Sequence, residues 1–420
     1  MIRAMFLLYE VLLYLVFIIT APFFLVTGLL RGKYLSNFPE RMGRYRHRPS
    51  SHDLWLHAVS VGEVIAARPV VTEIEKRKPA LRLLITTTTL TGQTTAKRLF
   101  PHATVTYFPF DFAFSVRAFL NHHRPTVMAT METEIWPNVT RLATARGIRL
   151  VLANARISDR SYPRYRAVRA LLRPILARYS VILAREETDR QRFVAIGAAP
   201  AQLEVCGNVK FDYQSDDKPL HDAPLLERLI AGRPVIVLGS TMAGEDEELL
   251  PEMALLIARA DCFVVVAPRK PERFEVVNAL LSTTGIRFVR RSELEADATA
   301  DLLLLDTFGE LAGMYRYATA AFVGGSLVPT GGHNPIEPAA AGAPVCFGPS
   351  MSNFREIAAA FLRQGAAERV RSAADVARFA ESMFNDAVGR ERVSRAALKT
   401  VAQNRGASAR TAARIVELMS

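Results

Sequence analysis

Residues 54–64 read L-W-L-H-A-V-S-V-G-E-V, an apolar run that ends at Ser60 and turns at Gly62. The pattern places Glu63 at a helix start beyond the carboxyl end of a strand. A carboxylate there serves either as a general base or as a complement to the helix dipole. His57 lies inside the run and reads as a core histidine. A second run ends in M-E-T-E-I-W-P-N, residues 131–138, with Glu132 and Glu134 beside a Trp-Pro turn. No Asp-x-Asp or histidine accompanies them, so a metal pair is discounted. Residues 154–160, N-A-R-I-S-D-R, follow the next run and offer side-chain donors to the same edge. Lys210, in G-N-V-K-F-D, is placed either to stabilise negative charge on a departing group or to sit solvated in a hinge.

A second group of candidates binds rather than reacts. After an apolar run at 320–323 come two glycine pairs, Gly324-Gly325 and Gly331-Gly332, and then Asn334-Pro335-Ile336-Glu337. Asn334 reads as an N-cap with Pro335 at the first helical position, so backbone N–H groups and a positive dipole end face outward and suit an anion. Glu337, three residues after the cap, either closes a capping box or grips a ligand hydroxyl. Arg269 emerges at another strand end with Pro268 fixing the backbone, where a guanidinium forks to a phosphate. Residues 306–311, with Phe308, Gly309 and Glu310, repeat the strand-to-helix pattern. These three loops are expected to converge on one anion. The acidic stretch 245–248 reads as a helix start.

Positioning these residues takes a parallel sheet in each half of the chain. Apolar runs at 54–59, 82–87, 104–108, 126–131, 149–153, 181–184 and 203–205 alternate with helical stretches, and a second set follows at 235–238, 263–267, 287–289, 302–305, 320–323 and 345–347. The rhythm is βα throughout, which predicts two doubly wound halves with ligands at the carboxyl ends of the strands. The polar, non-periodic stretch 213–224 is the expected linker between a domain at 33–212 and one at 225–420. Residues 375–419 are expected to be mostly helix, the last helices packing back on the N-terminal domain.

Residues 4–30 are almost wholly apolar, interrupted by Glu10 and Pro22, and predict an uncleaved membrane anchor within residues 1–32, either spanning or lying in the bilayer. Arg31, Lys33, Arg41, Arg44, Arg46, His47 and Arg48 follow, opposed by Glu40 alone. They suit a clamp on anionic lipid and place the rest of the chain in the cytoplasm. The net charge of +12 calls for an acidic partner. No zinc spacing or RNA-binding signature is present, so nucleic acid is not expected. Cys206, Cys262 and Cys346 are odd in number and far apart, which reads as a reducing compartment.

The strings H-A-V-S-V-G-E, M-E-T-E-I-W-P-N, N-A-R-I-S, G-N-V-K-F-D, A-P-R-K-P-E-R-F, G-E-L and G-G-S-L-V-P-T-G-G-H-N-P-I-E, in that order, resemble the bacterial 3-deoxy-D-manno-octulosonic acid (Kdo) transferases of lipopolysaccharide synthesis. The resemblance implies an α/β enzyme of the GT-B class. Its two Rossmann-like domains would face each other across a cleft, anchored at the cytoplasmic face of the inner membrane. It would move Kdo from CMP-Kdo to a lipid A precursor with inversion, without cofactor or metal. By position, Glu63 would accept the proton, and Glu132 and Lys210 would stabilise the transition state. Pro268 and Arg269, then Phe308, Gly309 and Glu310, then Asn334, Pro335, Ile336 and Glu337 would bind CMP. Lys270 stands where many relatives have His, and Phe308 where Met or Ile is frequent. The alternatives are a GT-B transferase using a UDP-sugar on a lipid-linked acceptor and a GT-B-like sugar-nucleotide epimerase.

Overall fold

The computed structural model describes residues 2–31, 37–45, 48–212 and 220–419. Most of the expected linker, 213–219, lies outside them, and a helix begins at Ala223. The chain forms two compact units, Met1–Asp212 with Arg405–Ser420, and Tyr213–Asn404.

The first unit is built on seven parallel strands: β1 (His52–His57), β2 (Leu83–Thr87), β3 (Thr104–Tyr107), β4 (Pro125–Met131), β5 (Arg149–Ala155), β6 (Val181–Ala184) and β7 (Leu203–Val205). Their spatial order is β3-β2-β1-β4-β5-β6-β7. β1 has no exposed residue because both faces of a parallel sheet are covered by crossover helices. Leu54 and Leu56 enter one core layer with Ile85, Val127 and Val151, while Trp55 between them enters the other with Leu84, Met128 and Leu152. The winding reverses between β1 and β4, where such sheets open a crevice at their carboxyl ends. Glu63 follows β1 and Glu132 follows β4.

The helix Ala407–Glu417 completes this unit. Ala407, Ala412 and Ile415 share a core layer with Val64, Val70 and Ile74 of the helix Val61–Arg77. The Asp212 carboxylate accepts from the N–H groups of Gly406 at 2.6 Å and Ser408 at 2.5 Å, fixing the helix start.

The second unit repeats the plan with β8 (Val235–Thr241), β9 (Phe263–Pro268), β10 (Phe288–Arg290), β11 (Leu302–Leu304), β12 (Ala320–Val323), β13 (Val345–Phe347) and β14 (Ala367–Arg369). They lie in the order β10-β11-β9-β8-β12-β13-β14, all parallel, with the reversal between β8 and β12. At that point Gly324 runs so close to β8 that a Cβ would lie 2.3 Å from the Ser240 carbonyl oxygen. Only glycine fits this approach.

The helix Ile2–Arg31 contains one segment, Met5–Pro22, long and apolar enough to cross a membrane. Leu7, Leu8, Leu12, Leu15, Ile18 and Ile19 are exposed, and the other side of the helix is tied down. Tyr9 donates to Asp111 at 2.8 Å, the Ala113 N–H donates to Glu10 at 3.3 Å, and Tyr14 stacks on Phe112 at 4.9 Å. Glu10 interrupts the apolar run because it meets the first amide of the helix Ala113–His123.

Part of the basic collar is spent elsewhere. Arg41 donates to the Thr88 carbonyl and lies over the Tyr107 and Phe110 rings. Arg44 and Arg48 are exposed, whereas the Arg31 side chain, Lys33, Arg46 and His47 lie outside the described residues.

Candidate active site

In the first unit the helix Val61–Arg77 starts directly beyond β1, with Ser60 as N-cap in extended conformation. The Glu63 carboxylate folds back over the cap, accepting from the Val59 N–H at 2.8 Å and the Ser60 hydroxyl at 3.2 Å. Partial burial pushes its pKa up to about 7, Glu132 and Glu134 adding to the rise while the Val59 amide opposes it. A carboxyl poised there is half ionised at neutral pH and is suited to accept a proton.

Glu132 adopts a left-handed conformation, φ 58°, immediately after β4, and Asn154 does the same at φ 53° on β5. A long side chain in that region costs about 1 kcal/mol or more. The strain is offset by charge. Glu132 Oε1 lies 2.5 Å from Arg185 Nη2 and 3.2 Å from Lys210 Nζ. Burial would raise the carboxyl, but Arg185 and Lys210 hold it down at about 2. Lys210 is itself lowered, by burial first and against the pull of Glu132. Glu134 is raised by burial although the Trp136 indole donates to it at 2.9 Å.

The structure thus brings Glu132 and Lys210 into direct contact and sets Glu63 within electrostatic reach of Glu132. It adds a residue that sequence reasoning passed over. Arg185 follows β6 at once, with its side chain 3% exposed, and its Nε donates to the Asn154 carbonyl at 3.2 Å. The available signal was position alone, an arginine directly beyond the apolar run 181–184. Asn154 accepts from the Val209 N–H at 3.2 Å through Oδ1. Its Nδ2 is buried without a hydrogen-bond partner among the described residues, a donor left over beside the ion-paired cluster. His57 is a core residue, stacked on Phe108 at 3.9 Å with Nδ1 against Thr86, and burial lowers it to about 3.

In the second unit the nucleotide candidates all lie at or beyond carboxyl ends of parallel strands: Pro268 ends β9 and Arg269 follows it, Phe308 to Glu310 come after β11, and Asn334 to Glu337 after β12. Arg269 is exposed and its N–H donates to the Thr241 carbonyl at 2.9 Å. His333 is lowered to about 4, by burial first and then by Arg269, which places the guanidinium near the glycine loop. Phe308 is exposed beside Phe274, with ring centres 5.7 Å apart. Glu310 is engaged by Arg291 at 2.8 Å and by the Thr307 hydroxyl. The short helix begins at Ile336, one residue later than expected, and Asn334 Oδ1 accepts from the Ile336 N–H at 3.1 Å. Glu337 receives the Asn334 side-chain amide at 3.3 Å.

The acidic helix start is more than a dipole complement. Glu245 is fully buried at the β8–β12 reversal and accepts from the N–H groups of Met242 (3.0 Å), Gly325 (2.6 Å), Ser326 (2.9 Å) and Leu327 (2.9 Å). The amides of the first glycine pair are satisfied internally, Gly325 by Glu245 and Gly324 by the Gly239 carbonyl at 2.8 Å. Burial keeps the Glu245 carboxyl raised despite those four donors. Replacing Glu245 by Ala orphans them, so a loss of about 3 kcal/mol is expected, measured by denaturant unfolding.

Two doubly wound parallel sheets, each with its candidate residues at the carboxyl ends of its strands, define the GT-B class. The solved UDP-GlcNAc 2-epimerase from Neisseria meningitidis, with UDP-GlcNAc bound, shares this fold at a TM-score of 0.57 and 12% identity, covering 88% of this chain and 99% of that one. A family model described as 3-deoxy-D-manno-octulosonic-acid transferase (kdotransferase) matches residues 36–213. The 3-deoxy-D-manno-octulosonic acid transferase of Haemophilus influenzae is 37% identical over 390 residues, 90% of this chain and 91% of the relative. That of Bordetella pertussis is 35% identical over 388 residues, 89% and 90% of the two chains. The chain belongs to the Kdo transferase family of glycosyltransferases.

Proposed function

We propose that the chain transfers Kdo from CMP-Kdo to the lipid A precursor with inversion, at the cytoplasmic face of the inner membrane. Residues 33–212 hold the acceptor and 225–420 the CMP-sugar. The observation that carries the reading is the Glu63 carboxyl, held at the helix start beyond β1 by the Val59 N–H and raised to about 7 by burial and by Glu132 and Glu134 at the β1–β4 reversal. Glu63 takes the proton of the acceptor hydroxyl as its oxygen forms the new bond to the anomeric carbon. The bond from that carbon to the phosphate oxygen breaks on the opposite face, and CMP leaves with the electron pair. Lys210, its charge shared with Glu132 and Arg185, stabilises negative charge that develops during transfer.

Arg269 and the Asn334 end of the short helix receive the phosphate, while Pro268, Phe308, Gly309, Glu310, Pro335, Ile336 and Glu337 shape the CMP site. A nucleoside monophosphate carries less charge than a diphosphate, and an arginine with oriented amides matches it. The helix Ile2–Arg31 keeps the enzyme at the bilayer that holds the acceptor, with anionic lipids matching Arg44 and Arg48.

The test is transfer from CMP-Kdo to a tetraacylated lipid A precursor, read by product mass and by release of CMP rather than UDP. A product without added Kdo mass, or release of UDP from a UDP-sugar, overturns the reading. Arg269→Ala is expected to weaken CMP binding by about 10-fold or more, measured calorimetrically. An unchanged affinity removes Arg269 from the phosphate site.

A further inference from the structure

Between Arg156 and Arg178 the chain carries seven arginines against a single acidic residue, Asp159, which is paired with Arg192. Five of the seven, Arg160, Arg164, Arg166, Arg169 and Arg173, are exposed, and none has an ion-pair partner among the described residues. Two short helices present four of them, all but Arg160: Tyr162–Ala167 and Arg169–Leu176, broken at Val168. Leu172, Ile175 and Leu176 bury one side of the second helix, which turns Arg169 and Arg173 outward. The break leaves a shallow, open groove lined by Tyr162, Pro163, Arg166, Ala167 and Arg169. Its lining pairs two guanidinium groups with the Tyr162 ring.

The groove lies beside the candidate active site. Tyr162 and Tyr165 pack on the same core layer as Ile135 and Trp136, and Glu134 acts electrostatically on Tyr165. The Thr133 hydroxyl donates to the Arg156 carbonyl, joining the β4 loop to the chain that leads into the groove.

We propose that this groove binds the phosphate-bearing headgroup of the glycolipid acceptor, Arg166 and Arg169 gripping the phosphate. The proposal rests on the acceptor reading above. Arginines without ion-pair partners among the described residues, on the stretch of chain joined to the β4 loop, match a phosphate on the molecule that reacts there rather than on bulk lipid. The exposed Val168 and Leu171 beside it face the acyl-bearing end of the same molecule.

The experiment compares wild type with Arg166→Gln/Arg169→Gln, using a phosphorylated glycolipid acceptor and the same acceptor with its phosphates removed. The double variant is expected to raise KM for the phosphorylated acceptor about 10-fold or more, with KM for the CMP-sugar unchanged, since charge-assisted contacts to phosphate are lost. Removing the phosphates should raise the wild-type KM by a similar factor and leave the variant little further affected. An unchanged acceptor KM, or an equal loss on both acceptors, overturns the groove assignment. So does a parallel loss of binding to phosphatidylglycerol vesicles that contain no acceptor, which would make the bilayer the occupant. If wild type transfers to no phosphorylated glycolipid, the acceptor reading itself fails. Transfer by wild type with an unaffected variant defeats the groove alone.

Discussion

Glu63→Gln is expected to reduce transfer by about 10²- to 10⁴-fold while CMP still binds, because a general base contributes that much and the substitution keeps shape but cannot take a proton. The pH profile supplies a second readout. With Glu63 at about 7, the basic form accumulates as pH rises through neutrality, so the wild-type rate should climb to a plateau above that value. Below it, the rate should fall about tenfold per unit. Stability runs the other way. The folded protein holds the Glu63 proton more tightly than the unfolded chain, so this group favours folding at low pH. That contribution is lost as pH rises from the usual carboxylate range through about 7. Above neutrality Glu63→Gln should therefore melt higher than wild type while being nearly inactive. A variant that turns over at close to the wild-type rate, or a wild-type profile flat between pH 5 and 9, removes Glu63 from the role.

The opposition of activity and stability at one residue also marks what a linear reading reaches. Strands β1 to β13 are visible as apolar runs because parallel strands bury both faces and leave no polar alternation to confuse the pattern. The fourteenth, Ala367–Arg369, was not among the expected strands; it is a three-residue edge carrying Glu368 and Arg369 outward, chemically indistinguishable from a loop. Glu63 was legible from the strand-to-helix transition that holds it. Glu132 and Lys210 stand 78 residues apart and gain meaning only when β4, β5 and β6 lie side by side. Glu245 misleads for a related reason. Four acids at a helix start suit the dipole so well that nothing in the sequence separates Glu245, buried and holding the amides of a loop 80 residues later, from Glu248 on the exposed side. Glu10 is the same case in the helix Ile2–Arg31, a charge whose partner amide belongs to Ala113.

Arg185 is where that non-local chemistry should show most strongly. Arg185→Met leaves Glu132 with Lys210 and the weaker pull of Arg156, in a backbone conformation that already carries strain, and leaves the Asn154 carbonyl without its Nε donor. Breaking a buried pair by removing one partner costs about 3 kcal/mol or more, because the surviving charge stays desolvated. Most of that loss should appear in chemical denaturation at neutral pH. It should shrink in acid, since the stabilisation that comes from holding Glu132 at about 2 is present above the unfolded carboxylate range and disappears as pH falls through the folded value. Arg185→Lys restores charge but not the planar fork that reaches both Glu132 and the Asn154 carbonyl, so it should recover stability in part. Turnover distinguishes a positioning role from a merely structural one. If Arg185 fixes Glu132 and Lys210 for transfer, Arg185→Lys remains well below wild-type kcat even where it is fully folded, with KM for CMP-Kdo little changed. Full kcat in the folded Lys variant, or wild-type stability in Arg185→Met, would show that the pair at 2.5 Å neither orders the cluster nor supports the chemistry beside it.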